Sequence, residues 1–131
     1  MLERERETFF GPVDDPARTL VAEREGRVVG CVRVVPASPL PENAHVWTLE
    51  GVAVAPAERG RGVAAALLDE VVQRAAAAGV RKVSLRVLAT NPRARRVYER
   101  AGFTVEGVLR EEFVLDGTFV DDVLMARRVT G

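Results

Sequence analysis

Cys31 is the chain's one cysteine, so no disulfide can form within it. It lies in an apolar run, where a thiol reads as a small buried hydrophobe rather than a nucleophile. The one histidine, His45, has no cysteine or second histidine clustered with it, and no metal site is expected. Charge of either sign is not in excess. Nineteen basic residues balance nineteen acidic ones, leaving no overall field to attract nucleic acid or an anionic membrane, and neither is expected as a partner. No apolar run approaches the roughly eighteen residues of a membrane span, and the charged start Met1-Leu2-Glu3-Arg4-Glu5-Arg6-Glu7 lacks the apolar stretch of a secretory signal. The expected compartment is the cytoplasm. Lysine is nearly missing too: apart from Lys82 the basic residues are arginines, which stay charged when buried and grip phosphate with a planar fork. Any anion site must therefore be local.

What is present suits one soluble globular domain spanning residues 1–131, with 47% hydrophobic and 29% charged residues. After a polar opening over residues 1–18, residues 19–23 and 28–36 read as extended runs joined through Glu25-Gly26-Arg27, a hairpin pattern. A further extended run over residues 46–54 ends at Pro56. The period then changes. Ala64, Leu67, Leu68, Val71, Val72 and Ala75 recur at helical spacing, and Gly79 supplies a stop. Val83, Leu85 and Val87 alternate as a strand, so this strand-helix-strand order predicts a crossover between parallel strands. Asn91 caps and Pro92 opens a second helix whose apolar face is Ala94, Val97, Tyr98 and Ala101. Runs over residues 103–106, 108–115 and 118–126 finish the chain as strands, the last two turning at Asp116-Gly117.

Between the third strand and the first helix lies Arg59-Gly60-Arg61-Gly62-Val63-Ala64. Glycines let the backbone approach a ligand, successive N–H groups point outward, and the helix start carries partial positive charge. Such a loop suits a pyrophosphate. A P-loop is excluded because no Gly-Lys-Ser/Thr follows at the right spacing, and a dinucleotide fingerprint lacks its third glycine, since Ala65 follows Gly62 where that residue belongs. A plain structural turn stays open as the alternative.

The stretch from Val52 through Pro56 to Arg59, Gly62 and Ala64 resembles the acetyl-CoA motif of the GNAT superfamily of N-acetyltransferases. Asn91, Ala94, Tyr98 and Ala101-Gly102-Phe103 resemble its second signature, in order and on the same strand-helix-strand frame. The resemblance, covering residues 19–128, implies an α/β (mixed α+β) fold with a central, mostly antiparallel twisted sheet and helices packed on it. It also implies acetyl-CoA as cosubstrate. The backbone of Val52 and Val54 would hold the acetyl carbonyl and pantetheine arm. Arg59, Gly60, Arg61, Gly62, Val63 and Ala64 would cradle the pyrophosphate, and Asn91 would reach the arm or serve only as a helix cap. Members usually open with a strand and one or two helices before the first hairpin, whereas here only residues 1–18 precede it, a shortened segment that leaves one wall of the acceptor site to be supplied otherwise.

By the same resemblance Tyr98 is the catalytic acid. A phenol of pKa about 10 stays protonated at neutral pH and can donate to a leaving thiolate whose conjugate acid lies near 8.5. The amine must lose a proton, and Glu50 is the candidate base because strand alternation places it on the face of Val52 and Val54. His45, Glu111, Asp121 and Asp122 remain alternatives. Direct transfer in a ternary complex to a small-molecule or peptide amine is expected, and open sheet edges allow a homodimer. The competing reading is a degenerate acyl-CoA-binding or regulatory module that uses the same loop without turnover.

Overall fold

A computed structural model describes residues 4–9 and 18–129, with side chains from Thr19 to Val129. In chain order the strands are β1 (Arg4–Phe9), β2 (Arg18–Arg24), β3 (Arg27–Pro36) and β4 (Val46–Val54), followed by helix α1 (Val63–Ala77). Then come β5 (Lys82–Leu88), α2 (Pro92–Arg100), β6 (Thr104–Leu115) and β7 (Thr118–Arg128). The strands form one sheet in the order β1-β2-β3-β4-β5-β7-β6. Every pairing is antiparallel except β4 with β5, as the strand-helix-strand pattern requires. The fold is thus a mixed α/β structure on a mostly antiparallel sheet. No described helix is long and apolar enough to cross a membrane.

The front of the chain differs from the expectation of a polar opening without a strand. Residues 4–9 pair with β2 in continuous register from Arg4↔Glu23 to Phe9↔Arg18. Their sequence, RERETF, has no apolar alternation, so hydrophobic period could not mark them; the open edge of β2 supplies the backbone partners. Residues 1–3 and 10–17 lie outside the described residues. A second difference is at the end. The runs over 103–106 and 108–115 are one strand, β6, broken by register shifts at Val105/Gly107 and Leu109/Phe113.

Helix α1 buries Val63, Leu67, Leu68, Val71 and Ala75, the stripe that period 3.6 predicts. These side chains join Val32 and Val34 of β3, Leu49 of β4, Val83, Leu85 and Val87 of β5, and Tyr98 of α2 in one core. Each fully buried Leu or Val contributes about 1.5–3 kcal/mol relative to exposure. Tyr98 meets Phe103 edge to face, with ring centroids 6.0 Å apart. Because Val83, Leu85 and Val87 alternate with Lys82, Ser84 and Arg86, both helices lie on one face of the sheet. The other face bears no described helix. Cys31, expected to be buried, is only half-buried, since alternation with the core residues Val32 and Gly30 turns it to that second face.

Gly30 sets how closely α1 lies on the sheet. A Cβ there would stand 2.8 Å from Val63 Cγ1, and 3.2 Å from both Ala53 O and Leu67 Cδ1. Replacement by alanine therefore overpacks the joint between β3 and the start of α1. Gly30→Ala is expected to lower stability by about 1–3 kcal/mol in urea unfolding; unchanged stability would mean that the contact is loose.

Candidate active site

The parallel strands β4 and β5 stay paired for only three positions, Val46↔Lys82, Trp47↔Val83 and Thr48↔Ser84. Beyond them β4 continues on β3 as far as Val54, and β5 continues on β7 as far as Leu88. The facing edges of residues 49–54 and 85–88 therefore hold backbone groups with no partner across the gap. A buried peptide group left unpaired is costly, so such edges call for water or for a ligand that carries amides of its own.

A bulge helps to open the gap. The β3–β4 register shifts between Arg33 and Val34, which pair with Gly51 and Leu49, so Glu50 is the extra residue. Gly51 takes φ 150°, in the region that favours glycine. The bulge breaks the alternation on which Glu50 was placed beside Val52. Leu49 and Val52 share the core face through their partners Val34 and Val32, while Glu50 turns to the opposite face and meets Arg33, with Nε 3.4 Å from Oε1.

At the end of the split, the chain turns through Pro56–Glu58 into the glycine loop. Gly60 and Gly62 have φ of 80° and 83°, and a Cβ at either meets nothing within 4 Å, so the loop surface is open to a ligand. Gly62 is the N-cap of α1 and offers no side-chain acceptor. The first intrahelical bond is Ala66 N–H to Gly62 O at 3.0 Å, which leaves the N–H groups of Val63, Ala64 and Ala65 without helical partners. Val63 itself is buried; its contribution is backbone and packing. Behind the loop stands a residue that sequence reading missed, the buried Glu58, 3.4 Å from Arg24 Nη2 and 3.5 Å from Arg61 Nη1. Arg59 is exposed and makes no ion pair with a described residue. The loop thus keeps one free guanidinium and one shared with a buried carboxylate.

Asn91 is the helix cap that its position suggests: Oδ1 accepts from Ala94 N–H at 3.1 Å, while its side-chain amide nitrogen donates to no described residue. Tyr98, on the face of α2 turned to the sheet, is buried. Burial pushes its phenol pKa above the ordinary value near 10, and a hydrogen bond from the Val52 backbone acts less strongly in the other direction.

The other base candidates stand in different settings. His45 precedes β4 at its paired end, and its carbonyl accepts from Arg81 N–H at 2.8 Å; seven residues of strand put it about 20 Å from Val52. Asp121 accepts from Glu111 N–H at 2.8 Å and from Arg110 at 3.0 Å. The Glu111 bond foremost, then Arg110, holds its carboxyl below the ordinary value against the opposing effect of desolvation. Glu111, at φ 51°, belongs to the β6 bulge that this bond closes. Asp122 is buried and bonded to Arg86 at 3.2 Å.

The sheet splits between β4 and β5, the glycine loop and the unpartnered first N–H groups of α1 follow the end of β4, and Tyr98 is buried on α2. The profile described as the acetyltransferase (GNAT) family matches residues 2–103. The chain belongs to that family. It is 39% identical over 79 residues to the L-2,4-diaminobutyric acid acetyltransferase of Nocardia farcinica, covering 60% of this chain and 39% of that protein. A GCN5-related N-acetyltransferase from Kribbella flavida superposes with TM-score 0.79 at 32% identity, over 92% of this chain and 72% of the other. A phosphinothricin acetyltransferase from Sinorhizobium meliloti, solved with AcCoA, shares the fold at TM-score 0.77 and 24% identity, over 86% of this chain and 61% of the other.

Tyr98 is the chain's one tyrosine, so alkaline absorbance titration reports it alone. The phenolate midpoint of the folded protein is expected above 10, against about 10 in the urea-unfolded chain. Because the folded value is the raised one, this contribution to stability is complete below about pH 10 and is lost as pH rises through the folded value. A midpoint at or below 10 in the folded protein would contradict the buried setting.

Proposed function

We propose that the protein is an acetyl-CoA-dependent N-acetyltransferase that acts on a primary amine by direct transfer in a ternary complex. The observation that carries this reading is the split between β4 and β5, which opens beyond Thr48 and Ser84 and leads to the glycine loop before α1. Unpaired strand edges beside an open glycine loop fit a ligand with an amide-bearing arm and a pyrophosphate end.

In this reading the edge of Val52 and Val54 holds the arm as an added strand would. Gly60, Gly62, Val63 and Ala64 offer backbone N–H groups and the positive end of α1 to the pyrophosphate, and Arg59 and Arg61 add charge-assisted bonds. Asn91 has its amide nitrogen free to donate to the arm. Acetyl-CoA, when bound, supplies a thioester whose carbonyl carbon accepts the amine nitrogen while the C–S bond breaks. Tyr98 Oη gives its proton to the departing sulfur and recovers one from solvent. The Glu50 carboxylate takes the amine's proton, and its place on the face opposite Val52 means that it acts through water or from the acceptor's side of the sheet.

Two substitutions separate binding from chemistry. Tyr98→Phe should hold acetyl-CoA affinity near wild type in calorimetric titration while lowering the rate of thiol release by roughly a hundredfold, the low end for a general acid. Gly62→Glu should abolish the calorimetric signal by setting bulk and negative charge at the phosphates. Binding by the wild type with no thiol release for any amine would instead mark a binding module, and full activity of Tyr98→Phe with chemistry rate-limiting would remove the acid role.

A further inference from the structure

Charged side chains form a row across the sheet face that neither described helix covers. On β3 and β4, Arg33 is paired with Glu50 at 3.4 Å; on β5 and β7, Arg86 Nη1 donates to Asp122 Oδ2 at 3.2 Å. Register puts both pairs on the same face. Thr48 and Ser84 are partners there, with hydroxyls 3.3 Å apart, and Glu50 and Arg86 stand two residues further along their strands. The row runs Arg33, Glu50, Arg86, Asp122, alternating in sign, and the split between β4 and β5 passes between its two inner members.

Those inner members keep binding capacity. Glu50 is 48% exposed, and its contact with Arg33 is longer than a good charge-assisted hydrogen bond. Arg86 is 57% exposed, spends Nη1 on Asp122, and donates from Nε and Nη2 to no described residue. Asp122, nearly fully buried, has its charge offset by Arg86 and fixes where the guanidinium lies. A carboxylate and a planar cationic fork thus stand on the two sides of the opening, each in contact with a neighbour of opposite sign on its outer side.

We infer that this row is the acceptor subsite and that the acceptor is a free α-amino acid or a close analogue, its amine toward Glu50 and its carboxylate on Arg86. The inference rests on the acetyl-transfer reading above. The strands part beyond Thr48 and Ser84, so the two head groups stand on either side of the opening, where a ligand bearing an amine and a carboxylate on one carbon carries the complementary charges. A polyamine brings only positive charge and would meet two arginines, a like-charge penalty. A peptide N-terminus has no carboxylate where Arg86 stands.

The test compares free L-amino acids, their carboxamides and spermidine as acceptors, after calorimetry has established acetyl-CoA binding. The free acids are expected to exceed the carboxamides by about ten- to a hundredfold in kcat/KM, the range for one hydrogen bond to a charged group. Arg86→Gln should bring that ratio toward one, Arg86→Lys should recover part of it, and both should keep acetyl-CoA affinity. Calorimetric titration of the best amino acid into CoA-loaded protein should weaken in Arg86→Gln, a readout independent of turnover. Equal use of acids and carboxamides by the wild type, a preference for spermidine, or transfer to no free amino acid by protein that binds acetyl-CoA would overturn the assignment. Wild-type protein that does not bind acetyl-CoA would show instead that the acetyl-transfer reading has failed.

Discussion

The parting of β4 from β5 after Thr48 and Ser84 is the constraint around which the other features are arranged. A parallel pair that continued would satisfy its own backbone and leave no slot. Here the bulge at Glu50 and Gly51 turns β4 toward β3, while β5 stays with β7 to its end. Close packing of Val63 and Leu67 over Gly30 holds the start of α1 at the mouth of the split. On the far side, the Asn91 cap starts α2 directly after β5 and so directs Tyr98 back toward Val52.

Electrostatic design follows the same division between the two faces. On the helix-bearing face the phenol of Tyr98 is desolvated, which keeps it protonated well into the alkaline range and able to donate. At the loop, buried Glu58 lies within ion-pair distance of Arg61 and Arg24, while Arg59 makes no ion pair with a described residue. The opposite face carries the ion pairs Arg33–Glu50 and Arg86–Asp122 on either side of the split. The two faces beside the gap thus differ in chemistry, although the net charge of the whole chain is zero.

Much of this was legible in the sequence wherever a local rule operates. Periods of two and 3.6 located β5, α1 and α2, and the pair Asn91-Pro92 and the glycines at 60 and 62 marked helix starts and turns. The legible part stops where a rule depends on a neighbouring strand. The charged β1 has no apolar signal, and the bulges at Glu50 and around Glu111 reverse an alternation that holds elsewhere. For that reason the face assigned to Glu50 was wrong; the contact of buried Asp122 with Arg86 joins neighbouring strands and left no mark in the sequence. Arg33 and Arg86 carried no local signal at all: their adjacency to the opening follows from strand order.

Hydrogen exchange, read segment by segment with and without acetyl-CoA, tests most directly whether the split is the seat of the ligand. The account predicts slowed exchange over residues 49–54 and 60–65, with β2 and the β6–β7 hairpin unchanged. Ligand binding that leaves those two segments exchanging as before, or that protects a different part of the sheet, would contradict it.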